Sequence, residues 1–173
     1  MKLFLTIFIS ALSVLLELLC GNLGISAGFP VYPAVYFYIA FGPVYGIGTA
    51  GVSALLTDVI YCRDLLVTAP VWIVITMSGI LTVRRWQRQK PQAPFFSGMV
   101  CGTELVIYQL LFSRLTGGGM PGPDILSLLV FHSTAGGIYM LFMTWLFDAV
   151  NYRCNLPKFS SSSFNRRLPG GEI

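Results

Sequence analysis

The stretch Phe29-Pro30-Val31-Tyr32-Pro33-Ala34-Val35-Tyr36-Phe37-Tyr38, running on through Ile39-Ala40-Phe41-Gly42-Pro43 to Leu55-Leu56-Thr57-Asp58-Val59-Ile60, decides the fold class. Its one charged residue is Asp58. An element packed against water keeps a polar face, and no helical or strand spacing supplies one here. Pro30, Pro33, Gly42 and Pro43 divide the stretch into a short apolar segment, Val31 to Phe41, and a longer one, Val44 to Tyr61. The first is bracketed so tightly by proline that a short or broken helix is expected.

The same poverty of charge extends outward. From Leu3 to Val83 the charged residues are Glu17, Asp58, Arg63 and Asp64. Of the 173 residues, 55% are hydrophobic and 10% charged, with a mean hydropathy of +0.74. Soluble domains carry about 25% charged residues, so a water-soluble fold is excluded. Further apolar runs cover Leu3 to Cys20, Leu65 to Val83, Phe95 to Leu115, and a long stretch opened by Asp124 and ending near Val150. At about 20 residues per span, the chain is expected to be an all-α integral membrane protein of about six transmembrane helices. Residues 1–153 form that domain, and 154–173, with four serines and several cations, read as a basic, disordered cytoplasmic tail. No small-x-small cleavage site follows the first run, so it reads as a retained helix.

Orientation follows from Lys and Arg, which concentrate in cytoplasmic loops. Lys2, Arg84, Arg85, Arg88, Lys90, Arg153, Lys158, Arg166 and Arg167 fall on one side of a six-span layout, and Arg63 and Arg114 on the other. Both termini are therefore expected in the cytoplasm, with Trp72, Trp86 and Trp145 near span ends as interfacial anchors. A basic face against anionic lipid accounts for the net charge of +4 without nucleic acid. Cys20, Cys62, Cys101 and Cys154 contain no C-x-x-C pair, and neither a metal site nor a cofactor is expected.

Ionisable groups inside spans are the functional candidates, because a charge in hydrocarbon costs several kcal/mol unless paired, hydrated or neutralised. Glu17 and Asp58 lie toward the outer end of their helices, where either could pair with Arg63 or Arg114. Asp148 lies at an inner end, within reach of water or Arg153. Glu104 sits near the middle of its run, as a proton or ligand site or as a glutamic acid hydrogen-bonded to a neighbouring helix. His132 suits a packed, hydrogen-bonded histidine better than a ligand. No nucleophile motif, phosphate loop or catalytic carboxylate pair is legible, so an enzyme is not expected. Gly46, Ala50 and Ala54 recur every four residues, with Gly51 beside them and Asp58 continuing the face. Such a row admits a second helix backbone, from within the chain or from a partner.

Pro33 opening a short apolar helix, the glycine-rich turn, Gly46, Gly48 and Gly51, and the ending Leu55-Leu56-Thr57-Asp58-Val59-Ile60 resemble the rod shape-determining MreD family. The chain departs from that pattern at Ala34, where an acidic residue is usual, and at Tyr61-Cys62-Arg63, where a glycine is expected. The resemblance implies a non-enzymatic scaffold of the cell-elongation and peptidoglycan-synthesis complex in the inner (plasma) membrane. Its implied partners are an MreC-like protein, the RodA/transpeptidase complex and MreB filaments, with docking through Gly46, Ala50, Gly51, Ala54 and Asp58. A similar fold belongs to the S components of energy-coupling-factor vitamin transporters. As the alternative, it implies an outward-opening pocket on which Glu104, His132 and the tyrosines converge.

Overall fold

The computed structural model describes residues 1–22, 28–61, 68–86, 92–115 and 125–159. Among these are six α-helices and no strand: α1 (Lys2–Asn22), α2 (Val31–Phe41), α3 (Pro43–Ile60), α4 (Thr68–Arg85), α5 (Ala93–Leu115) and α6 (Ile125–Arg153). Four of them, α1, α3, α5 and α6, are long and apolar enough to cross a membrane. The 11 residues of α2 reach only about 16 Å, half of a hydrocarbon core about 30 Å thick. α4 is 18 residues long but ends in Arg84 and Arg85. Among the described residues, four of the six expected spans thus meet the requirement by length and composition, beside a half-length helix and a helix with a cationic end.

α2 is the centre of the molecule and touches all five other helices. Val31 to Phe37, Ile39 and Ala40 are all buried. A helix that is apolar all round has no face to give to solvent, and burial on every side is its stable arrangement. It turns straight into α3 at Gly42, whose φ of +113° a side chain would strain. The Gly42 N–H donates to the carbonyls of Phe37 and Tyr38, and Pro43 starts α3 where a helix needs no amide donor. In the resulting hairpin a Cβ on Gly46 would strike Tyr38 and the Ala34 carbonyl, so the two backbones touch.

Contacts between elements fix alternating directions along the chain. Lys2 Nζ lies 5.9 Å from the Phe41 ring while Glu17 meets Phe29, so α1 and α2 are antiparallel. α4 and α5 are zipped by Ser97 Oγ donating to the Gly79 carbonyl (3.0 Å) at one end, with Tyr108 beside Thr68 at the other. α5 and α6 cross backbone to backbone: a Cβ on Gly98 would collide with the Gly136 carbonyl, and one on Gly102 with that of His132. Gly98 and Gly102 are four residues apart, the small-x-x-x-small spacing of tight helix pairs.

The outside is apolar over long faces. On α1, Leu3, Phe4, Ile7, Phe8, Leu12 and Leu15 are exposed; on α3, Val44, Val52, Leu55, Leu56 and Val59 are. Continuous patches of this kind suit hydrocarbon rather than water. Two expectations need correction. Trp72 is buried against the core rather than anchoring an interface, whereas Trp145 is exposed and Trp86 stacks on Phe96 at 4.1 Å. The tail does not leave the domain at 154, because Phe159 is only 2% exposed and its ring stacks on Tyr36 at 6.0 Å. Residues 160–173 lie outside the described part.

Gly98→Val is expected to lower stability by about 1–3 kcal/mol or more, since the backbone of α6 cannot move aside. Gly48→Ala, where nothing lies within 4 Å, should stay within about 0.5 kcal/mol. Thermal unfolding of the purified protein in detergent measures both.

Candidate functional site

Three of the carboxylates carried by the apolar helices share one task. Glu17, 1% exposed, accepts the Phe29 N–H through Oε2 at 3.0 Å, just ahead of α2. Asp58, fully buried, accepts the Thr68 N–H through Oδ2 at 3.2 Å, at the first residue of α4. The opening amides of a helix have no intrahelical acceptor, and an anion beside them is favoured by the helix dipole as well. Asp148 Oδ1 accepts both the Tyr36 hydroxyl and the Phe159 N–H, each at 2.7 Å. Asn151 Nδ2 completes that cluster, donating to the Tyr36 oxygen (2.8 Å) and the Pro157 carbonyl (3.0 Å). From the sequence Asp148 is expected to meet water or Arg153; its partners include the Tyr36 hydroxyl of the central helix and the Phe159 amide beyond α6. Arg63, one of the two expected partners of Glu17 and Asp58, lies outside the described residues.

Glu104 differs from these three. It is half-buried at mid-length of α5, and the acceptor role goes to a side chain: the Ser78 hydroxyl on α4 donates to Oε2. That hydroxyl also lies 2.8 Å from the Ile75 carbonyl of its own helix. His132 Nδ1 is 3.0 Å from the Leu128 carbonyl on its own helix. Neither Glu104 nor His132 is among the described lining of the cavity between α1, α3, α4 and α5. Tyr32 and Tyr36 belong to the packed core around α2. Among the described residues no three of His, Cys, Asp and Glu come together as a metal site.

The row on α3 is turned inward. Gly46, Ala50, Ala54 and Asp58 are buried, and Gly51 is half-buried with Ile73 of α4 as its nearest neighbour, 3.9 Å from where a Cβ would sit. Within this chain, the small side chains let α2 and α4 approach α3.

A cavity of about 290 Å³ lies at the end of the bundle away from Lys2 and Arg84. Its buried walls are Glu17, Thr57, Thr68, Trp72 and Leu105; its half-exposed walls are Tyr61, Tyr108, Gln109, Phe112 and Ser113. α5 contributes Leu105, Tyr108, Gln109 and Phe112 at i, i+3, i+4 and i+7, one helical face. Of these residues only Glu17 is a functional candidate from the sequence, where Trp72 reads as an interfacial anchor. The signal was present, because Gln109 interrupts an apolar run on the same face as two aromatic rings. The Thr68 and Tyr108 hydroxyls face each other across the wall at 3.5 Å.

No family model matches the chain, and neither a curated protein nor a solved structure matches it.

Glu17→Leu should cost about 1–3 kcal/mol, because it strands the Phe29 amide inside the protein. Glu104→Leu should be neutral or stabilising in detergent, since Ser78 keeps the Ile75 carbonyl as acceptor. Parallel unfolding curves of the two variants check the contrast.

Proposed function

We propose that the chain is a non-enzymatic scaffold of the bacterial cell-elongation complex, embedded in the inner (plasma) membrane and acting by helix docking. The observation that carries this reading is the use made of its intramembrane acids. Glu17, Asp58 and Asp148 each hold a backbone amide in place, and the molecule turns long apolar faces outward. Work by contact needs such faces and no reactive group. The segment that resembles the MreD family supports the same reading, because its residues build the α2–α3 hairpin on which the other helices pack.

On this proposal an MreC-like subunit and the RodA/transpeptidase complex meet the outward faces of α1 and α3. Gly46, Ala50, Ala54 and Asp58 act indirectly, by holding α3 in position against α2 and α4. The end bearing Lys2, Arg84, Arg85 and Arg153 faces the cytoplasm, anionic lipid and MreB filaments, by the distribution of cations.

A second reading, the S component of a vitamin transporter, is favoured by one observation, the cavity between α1, α3, α4 and α5. Its walls are other residues than Glu104 and His132, and the bundle centre is filled by α2.

Affinity purification from a rod-shaped host separates the readings. Recovery of a coiled-coil MreC-like partner, rounding of cells on depletion, and loss of both with Leu55→Arg on the exposed face of α3 are the expected results. Unchanged shape on depletion together with no such partner would sink the scaffold.

A further inference from the structure

Two half-exposed polar side chains, Glu104 and His132, stand at one level of the membrane-length helices α5 and α6. Glu104 Oε2 takes the Ser78 hydroxyl, and the carboxyl makes no other hydrogen bond among the described residues. His132 Nδ1 lies 3.0 Å from the Leu128 carbonyl, and the ring likewise makes no other hydrogen bond among the described residues. A carbonyl only accepts, so Nδ1 carries a hydrogen and Nε2 is the nitrogen left for a further partner. The glycine crossing sets the relative height of the two groups. A Cβ on Gly102 would strike the His132 carbonyl and one on Gly98 that of Gly136, so the antiparallel helices run level through both pairs. Glu104 stands two residues beyond Gly102, about 3 Å along the axis at ~1.5 Å per residue. The bond to Ser78 holds the Glu104 side chain on the α4 side of α5, and no hydrogen bond joins it to His132 within the chain.

We propose that α5 and α6 form the interface of a two-fold homodimer, in which Glu104 of each copy bonds His132 of the other. Two copies inserted in the same orientation are related by an axis along the membrane normal, and rotation about that axis leaves every residue at its own height. A self-complementary interface of this kind needs its two partner groups at one level. The glycine crossing meets that requirement, because it fixes the register of the helices that carry them. The exposed side chains of Ile107, Val130, Phe131 and Ile138 give the same two helices apolar surface to pack around the pair. One proton serves both groups, as a carboxyl O–H donated to Nε2 or as an Nε2–H donated to a carboxylate, and the pair is net neutral either way. That lowers the cost of keeping an acid and an imidazole against hydrocarbon, and interhelical hydrogen bonds of this sort join membrane helices. A lipid chain on this face would offer neither group a partner. The interface is separate from the α1 and α3 faces of the scaffold reading and stands or falls without it.

The test uses the full chain, fluorophore-labelled, in vesicles of phosphatidylcholine and phosphatidylglycerol. Subunits are counted by single-molecule photobleaching over a series of lipid dilutions. The unsubstituted chain is expected to bleach in two steps. One step at every dilution would assign the face to lipid or to a different membrane protein, and would overturn the proposal whether or not any variant folds; so would a larger assembly. Glu104→Leu and His132→Leu should each weaken dimerisation about tenfold or more with helix content unchanged, and the double variant should be no weaker than either. A mixture of the two single variants should associate again, because the mixed dimer keeps one intact pair. Energy transfer from a donor on one variant to an acceptor on the other reads this, against each variant labelled both ways. A fault confined to the monomer would not be cured by mixing. Transfer in the mixture no greater than in either variant alone would overturn the reciprocal pair, as would dimerisation unmoved by both substitutions.

Discussion

A helix of 11 residues placed at the centre of an apolar body raises a problem at its own ends. α2 is too short to bring its first amides out to water, and in hydrocarbon or protein interior an unsatisfied backbone group costs several kcal/mol. At one end the Val31 N–H donates to the Gly28 carbonyl, and Glu17 takes the Phe29 N–H of the turn that leads in; the left-handed turn at Gly42 answers it at the other. With both ends satisfied, α2 can be wholly apolar and serve as the surface on which the remaining helices pack. Glu17 therefore ties α1 to the turn that leads into α2.

The same solution recurs where the chain re-enters the bundle. Asp58 receives the start of α4, and Asp148 receives both the Tyr36 hydroxyl and the Phe159 amide of the segment that follows α6. A carboxylate is an economical acceptor for such junctions because it offers two oxygens and several lone pairs from one short side chain. These acids would read as functional by the rule that charge in a membrane marks a working site. Here they mark places where backbone polarity must be neutralised inside an apolar body. Glu104 stands outside this pattern, since it bonds a serine side chain and remains half-buried on α5. Glu17 alone takes part in both an anchoring bond and the wall of a cavity.

Element boundaries were legible in the sequence to within a few residues, because proline, glycine and charge punctuate an otherwise uniform apolar chain. α2 from Val31 to Phe41 is the clearest case, bracketed by Pro30 and by Gly42-Pro43. The partners of those elements were not legible. Gly98 and Gly102 carry the same four-residue spacing as Gly46 and Ala50, yet which helix each pair would accept depends on folding around α2. Trp72, placed by sequence near an interface, is buried, because the level of a residue along a helix says nothing about the direction it faces. Phe159 looked like part of a solvated tail; one aromatic ring in a polar segment docks when a buried tyrosine is within reach to stack on it.

By itself the sequence determined a helical, apolar chain with one short central segment, since composition and the spacing of breakers are local properties and the bilayer-length requirement acts on each run separately. What the acids do, which way the small-residue row faces, and where a cavity opens were decided only by the tertiary structure. Those outcomes depend on pairs of residues distant in the chain: Glu17 with Phe29, Tyr36 with Asp148, Thr68 with Tyr108 at the cavity wall. A carboxylate in an apolar segment must find a donor, but its own sequence neighbourhood does not say whether that donor is a backbone amide, a side chain or a ligand.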